Sequence, residues 1–429
     1  MTAPVVDACA ACLRRTDLIA AISGRIEIEW RLRRGRPLLL ALPDDDLLEW
    51  AGDAAAVRRY EAFSADFALD RLASAGLGTV CRHAAAYPAG LADLADPPAV
   101  LHVLGDPGAL DAARDAVALV GARRPSAYGL EVARSLGRGL GASGVTVVSG
   151  MAMGVDSAAH AGTLEAGGVT VAALATGADR PYPARARTLH ARIAETGCVV
   201  SELPPGFEPR RWAFPARNRV IAALSAATVV VEGGERSGSL ITADFAAELG
   251  RGVGAVPGAV TARLAAGPHA LLKAGAELIR DAADVLDLLG AAPIDPRAAG
   301  PHGVAPIDPR ALGPHGVARI DPRAPGPHGP PADPVAAGPT RPGPTPIVLG
   351  AGPRARPTPG SPAGAVPPPA ELDPRLAKLL ARIERGQASL AELVTDAGEG
   401  LTVARDLGEL EALGLVRRVF GGRYIRAPG

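Results

Sequence analysis

Between Ala116 and Gly258 the chain repeats one pattern six times. AVALVGA, VTVVSG, VTVAALA, CVVSEL, ATVVVEG and GVGAVPG are short apolar runs, most of them rich in β-branched residues. Ala- and Leu-rich stretches of helical length separate them, such as YGLEVARSLGRGLGASG and ITADFAAELGRG. Strands with apolar residues on both faces, alternating with helices, leave one economical solution: βαβ units around a parallel sheet. In such a sheet ligands sit beyond the carboxyl ends of the strands, where the Gly-rich loops lie. This α/β core is expected over residues 108–290.

The flanking segments differ. Residues 1–75 carry helical periodicity and predict a small helical domain. Residues 76–107 read as a connector, because prolines interrupt them, with VLHVL as a possible short strand. Residues 291–370 are Pro- and Gly-rich and contain a 13-residue repeat at 292–304, 305–317 and 318–330. That composition predicts a disordered linker of polyproline character; its spaced His302, His315 and His328 are read as part of a duplicated linker. Residues 371–429 predict three helices and a hairpin turning at Gly421-Gly422, the layout of a winged helix, with Arg417, Arg418, Arg423 and Arg426 on the wing. Acidic and basic residues balance in this segment, so contact with DNA and contact with protein remain equal readings.

The whole chain of 429 residues has a formal net charge of +0, with 45 basic and 45 acidic residues. A nucleic-acid partner therefore needs a local basic site, since no global field supplies one. Lys273 and Lys378 are the only lysines, so nearly every cation is an arginine, whose planar fork suits phosphates and stacks on bases. Four cysteines, Cys9, Cys12, Cys81 and Cys198, argue against a secreted disulfide scaffold. Cys9-Ala-Ala-Cys12 has zinc or redox spacing, but no second CxxC or histidine pair stands nearby. The expectation is no metal and no cofactor. A signal peptide and a membrane span are not expected either, which predicts a cytoplasmic protein.

Four strand ends concentrate the chemistry. In VGARRPSAYG, Gly121 permits a sharp turn, and Arg123 with the amides of the next helix favours an anion. In VVSGMAMGVDSAAHAGTLEAGG, Ser149 and Gly150 end a strand and Gly154 permits a close approach. Asp156 is placed to N-cap the next helix, with His160 at i+4 on the same face. The nucleophile pattern GxSxG is absent, so these polar residues read as structural. RRWAFPARNRVIAALS gathers Arg210, Arg211, Arg217 and Arg219 around Trp212 and Phe214, with Asn218 free to cap a helix or read a base edge. Rings stack on unpaired bases while arginines track phosphates, which favours nucleic acid over a solvated helix face with a buried ring staple. In VVVEGGERSGSLITADFA, Ser237, Gly238 and Ser239 form a candidate phosphate cradle that lacks the Walker A and GxGxxG patterns.

With these loops in this order, followed by AVPGAV and LLKAGAELIRDAADVL, the sequence resembles the DNA-processing protein A family over about residues 80–290. The resemblance implies an extended Rossmann-like core that binds single-stranded DNA without base specificity, dimerises, displaces single-strand-binding protein and loads the RecA recombinase in natural transformation. It implies no catalytic residue. Carried over by motif position, the DNA-binding residues are Gly121, Arg123, Ser149, Gly150, Arg211, Phe214, Arg217, Asn218, Arg219, Ser237, Gly238 and Ser239. Two positions depart from the family pattern: Ala122 stands for the usual serine and Met153 for the common arginine. Phosphates are expected to cross the strand-end pocket against Arg123, Arg217 and loop amides, with one base stacked near Phe214. Two alternative readings stand beside this one. A phosphoribohydrolase on a related fold needs a glutamate where this chain has Thr242. A winged-helix regulator would make the core merely structural.

Overall fold

The computed structural model of the chain describes residues 6–33, 38–290, 373–385, 393, 400–418 and 424–427. The expected linker with its repeats and three histidines lies outside the described residues. So do the second C-terminal helix, apart from Leu393, the hairpin turn at Gly421-Gly422, and Arg423.

Ten strands form one sheet: β1 (Val6–Asp7), β2 (Gly78–Cys81), β3 (Val100–Gly105), β4 (Val117–Val120), β5 (Val147–Ser149), β6 (Thr170–Ala173), β7 (Cys198–Ser201), β8 (Ala227–Val230), β9 (Gly252–Ala255) and β10 (Glu277–Leu278). Their order is β1-β2-β3-β7-β6-β5-β4-β8-β9-β10. From β7 to β10 every pair is parallel. The six runs read from the sequence are β4 to β9. The chain steps outward from β4 to β7, then crosses back to place β8 on the other flank of β4. That reversal is the switch point of a Rossmann-like α/β sheet.

The sheet is wider than the sequence suggests. The stretch read as a connector supplies β2 and β3, and β3 pairs antiparallel with both β2 and β7. The two-residue β1 then adds parallel to β2. The proline breaks lie between these strands, so they interrupt helices without interrupting the sheet.

Strand β4 shows how the layers divide. Val117 and Leu119 join a cluster with Leu136, Leu140, Val155 and Val285, from the helices on one face. Ala118 and Val120 join Val220, Ile221, Ala243 and Leu271 on the other. Period-two alternation between two apolar faces is the reason the strand reads as a continuous apolar run. The helices start where the sequence supplies caps. Ser126 Oγ accepts from Gly129 N at 3.1 Å, and Asp53 Oδ1 accepts from Ala55 N at 2.8 Å.

The N-terminal helices Ala10–Ala21, Ser23–Arg33, Asp44–Ala51 and Ala54–Glu61 share a core around fully buried Trp212. The C-terminal unit contains helices Pro374–Glu384 and Gly400–Ala412 and an antiparallel pair, β11 (Val416–Arg418) and β12 (Tyr424–Arg426). Leu376, Leu380, Leu393, Leu407 and Leu410 fill its core. Arg426 pairs with Glu384. Among the described residues no helix is long and apolar enough to cross a membrane.

Candidate nucleic-acid interface

A pocket of about 60 Å³ opens at the carboxyl ends of β4, β5 and β6, lined by Arg123, Gly150, Met153, Tyr182, Phe214 and Arg217 among others. The helix Ala213–Ala223 brings Phe214 and Arg217 to one wall, because residues three apart share a helix face. The loop after β4 delivers Arg123, and the loop after β6 delivers Tyr182.

Arg217 forms the floor. The residue is 6% exposed, and Nη1 donates to the carbonyl of Ala173, the last residue of β6, at 2.7 Å. Its Nε has no hydrogen-bond partner among the described residues. Burial pulls its pKa down to about 10, opposed by the negative charge of Asp156, so it stays a cation at neutral pH. Burial likewise pushes the Asp156 carboxyl upward, opposed first by Arg217 and then by the amides of Ala152 and Gly150. The space Arg217 occupies exists because residue 150 is glycine: a Cβ there would stand 1.8 Å from Nη1. Next to it Met151 adopts φ +52°, a left-handed backbone uncommon for a residue with a side chain.

Above this floor the rings and the second arginine form a ladder. The Arg123 guanidinium carbon lies 5.0 Å from the Phe214 ring centre. Phe214 and Tyr182 are tilted by 55° with centroids 5.5 Å apart. Arg123 is exposed, and Tyr182 is 40% exposed. An exposed Tyr182 ring and a half-buried Phe214 ring, beside a guanidinium that stacks on the latter, suit a base and its phosphate.

The other residues singled out from sequence are dispersed. Gly121 lies at the turn after β4, where a Cβ would meet the Val155 side chain at 2.7 Å. Arg211 is exposed at the entry to the helix. Asn218 donates to the carbonyl of Gly238 at 3.0 Å, which ties the helix Ala213–Ala223 to Gly238–Glu248. Ser237 caps the latter helix, and its Oγ lies 2.8 Å from Ser239 Oγ. Of the twelve, Arg123, Gly150, Phe214 and Arg217 line the pocket, and two of the others are buried away from it. Ser149 is fully buried and donates to the carbonyl of Leu119 at 2.6 Å. Arg219 is 2% exposed and held by Asp96 at 2.9 Å and Glu202 at 2.7 Å. Trp212, grouped with Phe214 in the sequence, belongs to the core.

Two local expectations change, the cap at Asp156 and the anion at the helix start after β4, while His160 keeps its structural reading. Asp156 is not the N-cap: Gly154 is, with φ +85°, and Asp156 sits two residues further on in the first turn, its Oδ2 accepting from Ala152 N at 3.4 Å. A side chain at 154 would also collide with the carbonyl of Ala122, at 2.4 Å. His160 is fully buried, with Nδ1 2.7 Å from Thr170 Oγ1, and burial lowers its pKa to about 3. The anion expected at the helix start after β4 is internal. Glu232 accepts from the Ser126 amide at 2.8 Å and from its hydroxyl at 2.6 Å. Glu232 thus neutralises that helix terminus itself.

Sequence reading missed Tyr182. Its signal was present: DRPYPARAR puts an aromatic residue among arginines in the segment that follows an apolar strand run.

The same region matches proteins already described. The model of the family named DNA recombination-mediator protein A matches residues 78–290. The DNA processing protein DprA of Bacillus subtilis is 40% identical over 214 residues, which cover 50% of this chain and 72% of that protein. This chain belongs to the DNA-processing protein A family. A putative DNA processing protein DprA of Mycobacterium tuberculosis is 44% identical over 264 residues, 62% of this chain. The match spans 60% of that relative's length. The crystal structure of DprA from Streptococcus pneumoniae superposes with a TM-score of 0.53 at 32% identity, covering 65% of this chain and 95% of that one. The two structures share an α/β Rossmann-like core.

Proposed function

We propose that the chain binds single-stranded DNA across the carboxyl ends of β4, β5 and β6, without base specificity. The observation that carries this reading is the Arg123–Phe214–Tyr182 ladder standing over the buried cation of Arg217. The ladder offers π faces that every base can use, and the cations offer phosphate partners that carry no sequence information. Ser237 and the open start of the helix Gly238–Glu248 extend the track toward a further phosphate.

On this reading the protein is a cytoplasmic DNA-processing factor and not an enzyme. As a homodimer it protects an incoming strand, displaces single-strand-binding protein and nucleates RecA. The C-terminal unit is a winged helix that adds a contact to DNA or protein. The position a phosphoribohydrolase needs for its glutamate is Thr242, 1% exposed, and His160 is neutral and enclosed, which supports binding over hydrolysis.

The test is RecA filament nucleation on single-stranded DNA coated with single-strand-binding protein, alongside oligo(dT) affinity across a salt series. The expected result is faster nucleation with the protein and affinity that falls as salt rises. Affinity that survives deletion of the core pocket but vanishes on deletion of residues 371–429 would favour the regulator. Release of ribose 5-phosphate from nucleoside monophosphates would favour the hydrolase.

A further inference from the structure

Cys9-Ala-Ala-Cys12 lacks a second ligand pair in its own neighbourhood of the sequence, but the fold supplies one. Cys81 closes β2, and His83 stands two residues on in the turn that follows. The Sγ atoms of Cys9, Cys12 and Cys81 and a ring nitrogen of His83 all lie within 4.8 Å of one another. His83 Nδ1 is 3.4 Å from both Cys9 Sγ and Cys12 Sγ.

We propose that Cys9, Cys12, Cys81 and His83 form a structural zinc site that fastens the N-terminal segment to the edge of the sheet. Tetrahedral zinc with Zn–S near 2.3 Å and Zn–N near 2.0–2.1 Å sets S···N edges of about 3.5 Å, the separation found here. Three thiolates and one imidazole are a soft donor set that selects zinc over magnesium, calcium or manganese. Four protein ligands close the coordination sphere, which is the structural and not the catalytic arrangement. Cys9 stands at the N-cap of Ala10–Ala21 without a side-chain capping bond, and Cys12 lies in the first turn. A helix N-terminus favours the thiolate form that a metal requires.

The site has a mechanical reason. β1 is held to β2 by two residues only, Val6 against Thr79 and Asp7 against Val80. So short a ladder is marginal by itself. A metal joining the residues just after β1 to the end of β2 pins both strands and the start of the first helix. Binding free energy at such a site becomes folding free energy. The proposal is independent of the DNA-binding reading.

The test uses the full chain, purified without a polyhistidine tag. Elemental analysis is expected to find one zinc per chain. Cobalt exchanged into the site is expected to show thiolate-to-cobalt charge transfer and the intense visible bands of tetrahedral coordination. His83→Ala, at an exposed turn, keeps the fold, shifts those bands and weakens zinc at least about tenfold in competition with a chromogenic chelator. Chelation lowers the thermal midpoint of the wild-type protein, and zinc restores it. The proposal is overturned by protein that holds no zinc and gives no cobalt charge-transfer band. Cys9 and Cys12 recovered as a disulfide from reducing cytosol, or thiols equally reactive with and without zinc, overturn it too.

Discussion

Gly150 and Arg217 share one volume: a Cβ at position 150 would stand 1.8 Å from the guanidinium Nη1 that donates to the carbonyl of Ala173. The loop after β5 and the helix after β7 are therefore interlocked at the floor of the pocket. Gly150→Ala should expel the guanidinium, lower oligo(dT) affinity about tenfold and lower the thermal midpoint. A lost hydrogen bond from a charged group is worth roughly 1.5–3 kcal/mol. Adding Asp156→Asn should recover stability, because the buried carboxylate no longer lacks its counter-charge, but it should not recover affinity. Fluorescence anisotropy and thermal unfolding of the two variants separate these outcomes.

Arg123 and Arg219 should behave as opposites. Arg123 is exposed, so on the proposed reading Arg123→Ala should remove a phosphate partner and flatten the salt dependence of oligo(dT) binding by about 0.7 in log–log slope. Arg219→Ala leaves Asp96 and Glu202 facing each other without their cation. Removing one member of a buried ion pair costs about 3–5 kcal/mol, which urea unfolding reads, while the salt slope of the folded variant stays unchanged.

Tyr182→Ala and Phe214→Ala should each weaken binding by about 1–3 kcal/mol through lost stacking. The loss should be the same at low and high salt, since no charge is removed. Tyr182→Phe keeps the π face and should bind as the wild type does. A salt-dependent loss in Tyr182→Ala would mean that the ring only supports the arginines.

Two buried histidines set a pH dependence. Burial lowers His102 to about 3, with Arg71 adding to the effect, and lowers His160 to about 3, with Arg217 adding. The unfolded imidazole titrates near 6.5. Between about 6.5 and 3 the unfolded chain binds more protons than the folded one, so stability falls as pH falls through that window. Each histidine contributes roughly 1 kcal/mol per pH unit there. Urea unfolding at pH 7 and pH 4.5 measures the slope, and His102→Val should reduce it by about half.

Much of this molecule is legible along the chain. The strands β4 to β9 are all visible as apolar runs, because a strand buried on both faces must be apolar throughout. The pocket side of the sheet follows from the same pattern, since glycine-rich turns mark the carboxyl ends. Phe214, Arg123 and Arg217 stand out as rings and cations where the chain is otherwise poor in aromatics. The edge of the sheet is not legible: β1 has two residues, and no local pattern says that β3 will run antiparallel beside β7.

Sequence alone thus determines the alternation of strand and helix and the chemical character of the loops, because periodicity and residue type are local properties. Tertiary structure decides which member of a motif does what. Arg217 and Arg219 stand two apart in one helix, so about 200° of rotation separates them. One turns to the pocket and the other to Asp96 and Glu202. Cys9 and Cys12 meet Cys81 and His83 only because the first helix starts beside the end of β2. Distance along the chain hides such contacts, and packing alone creates them.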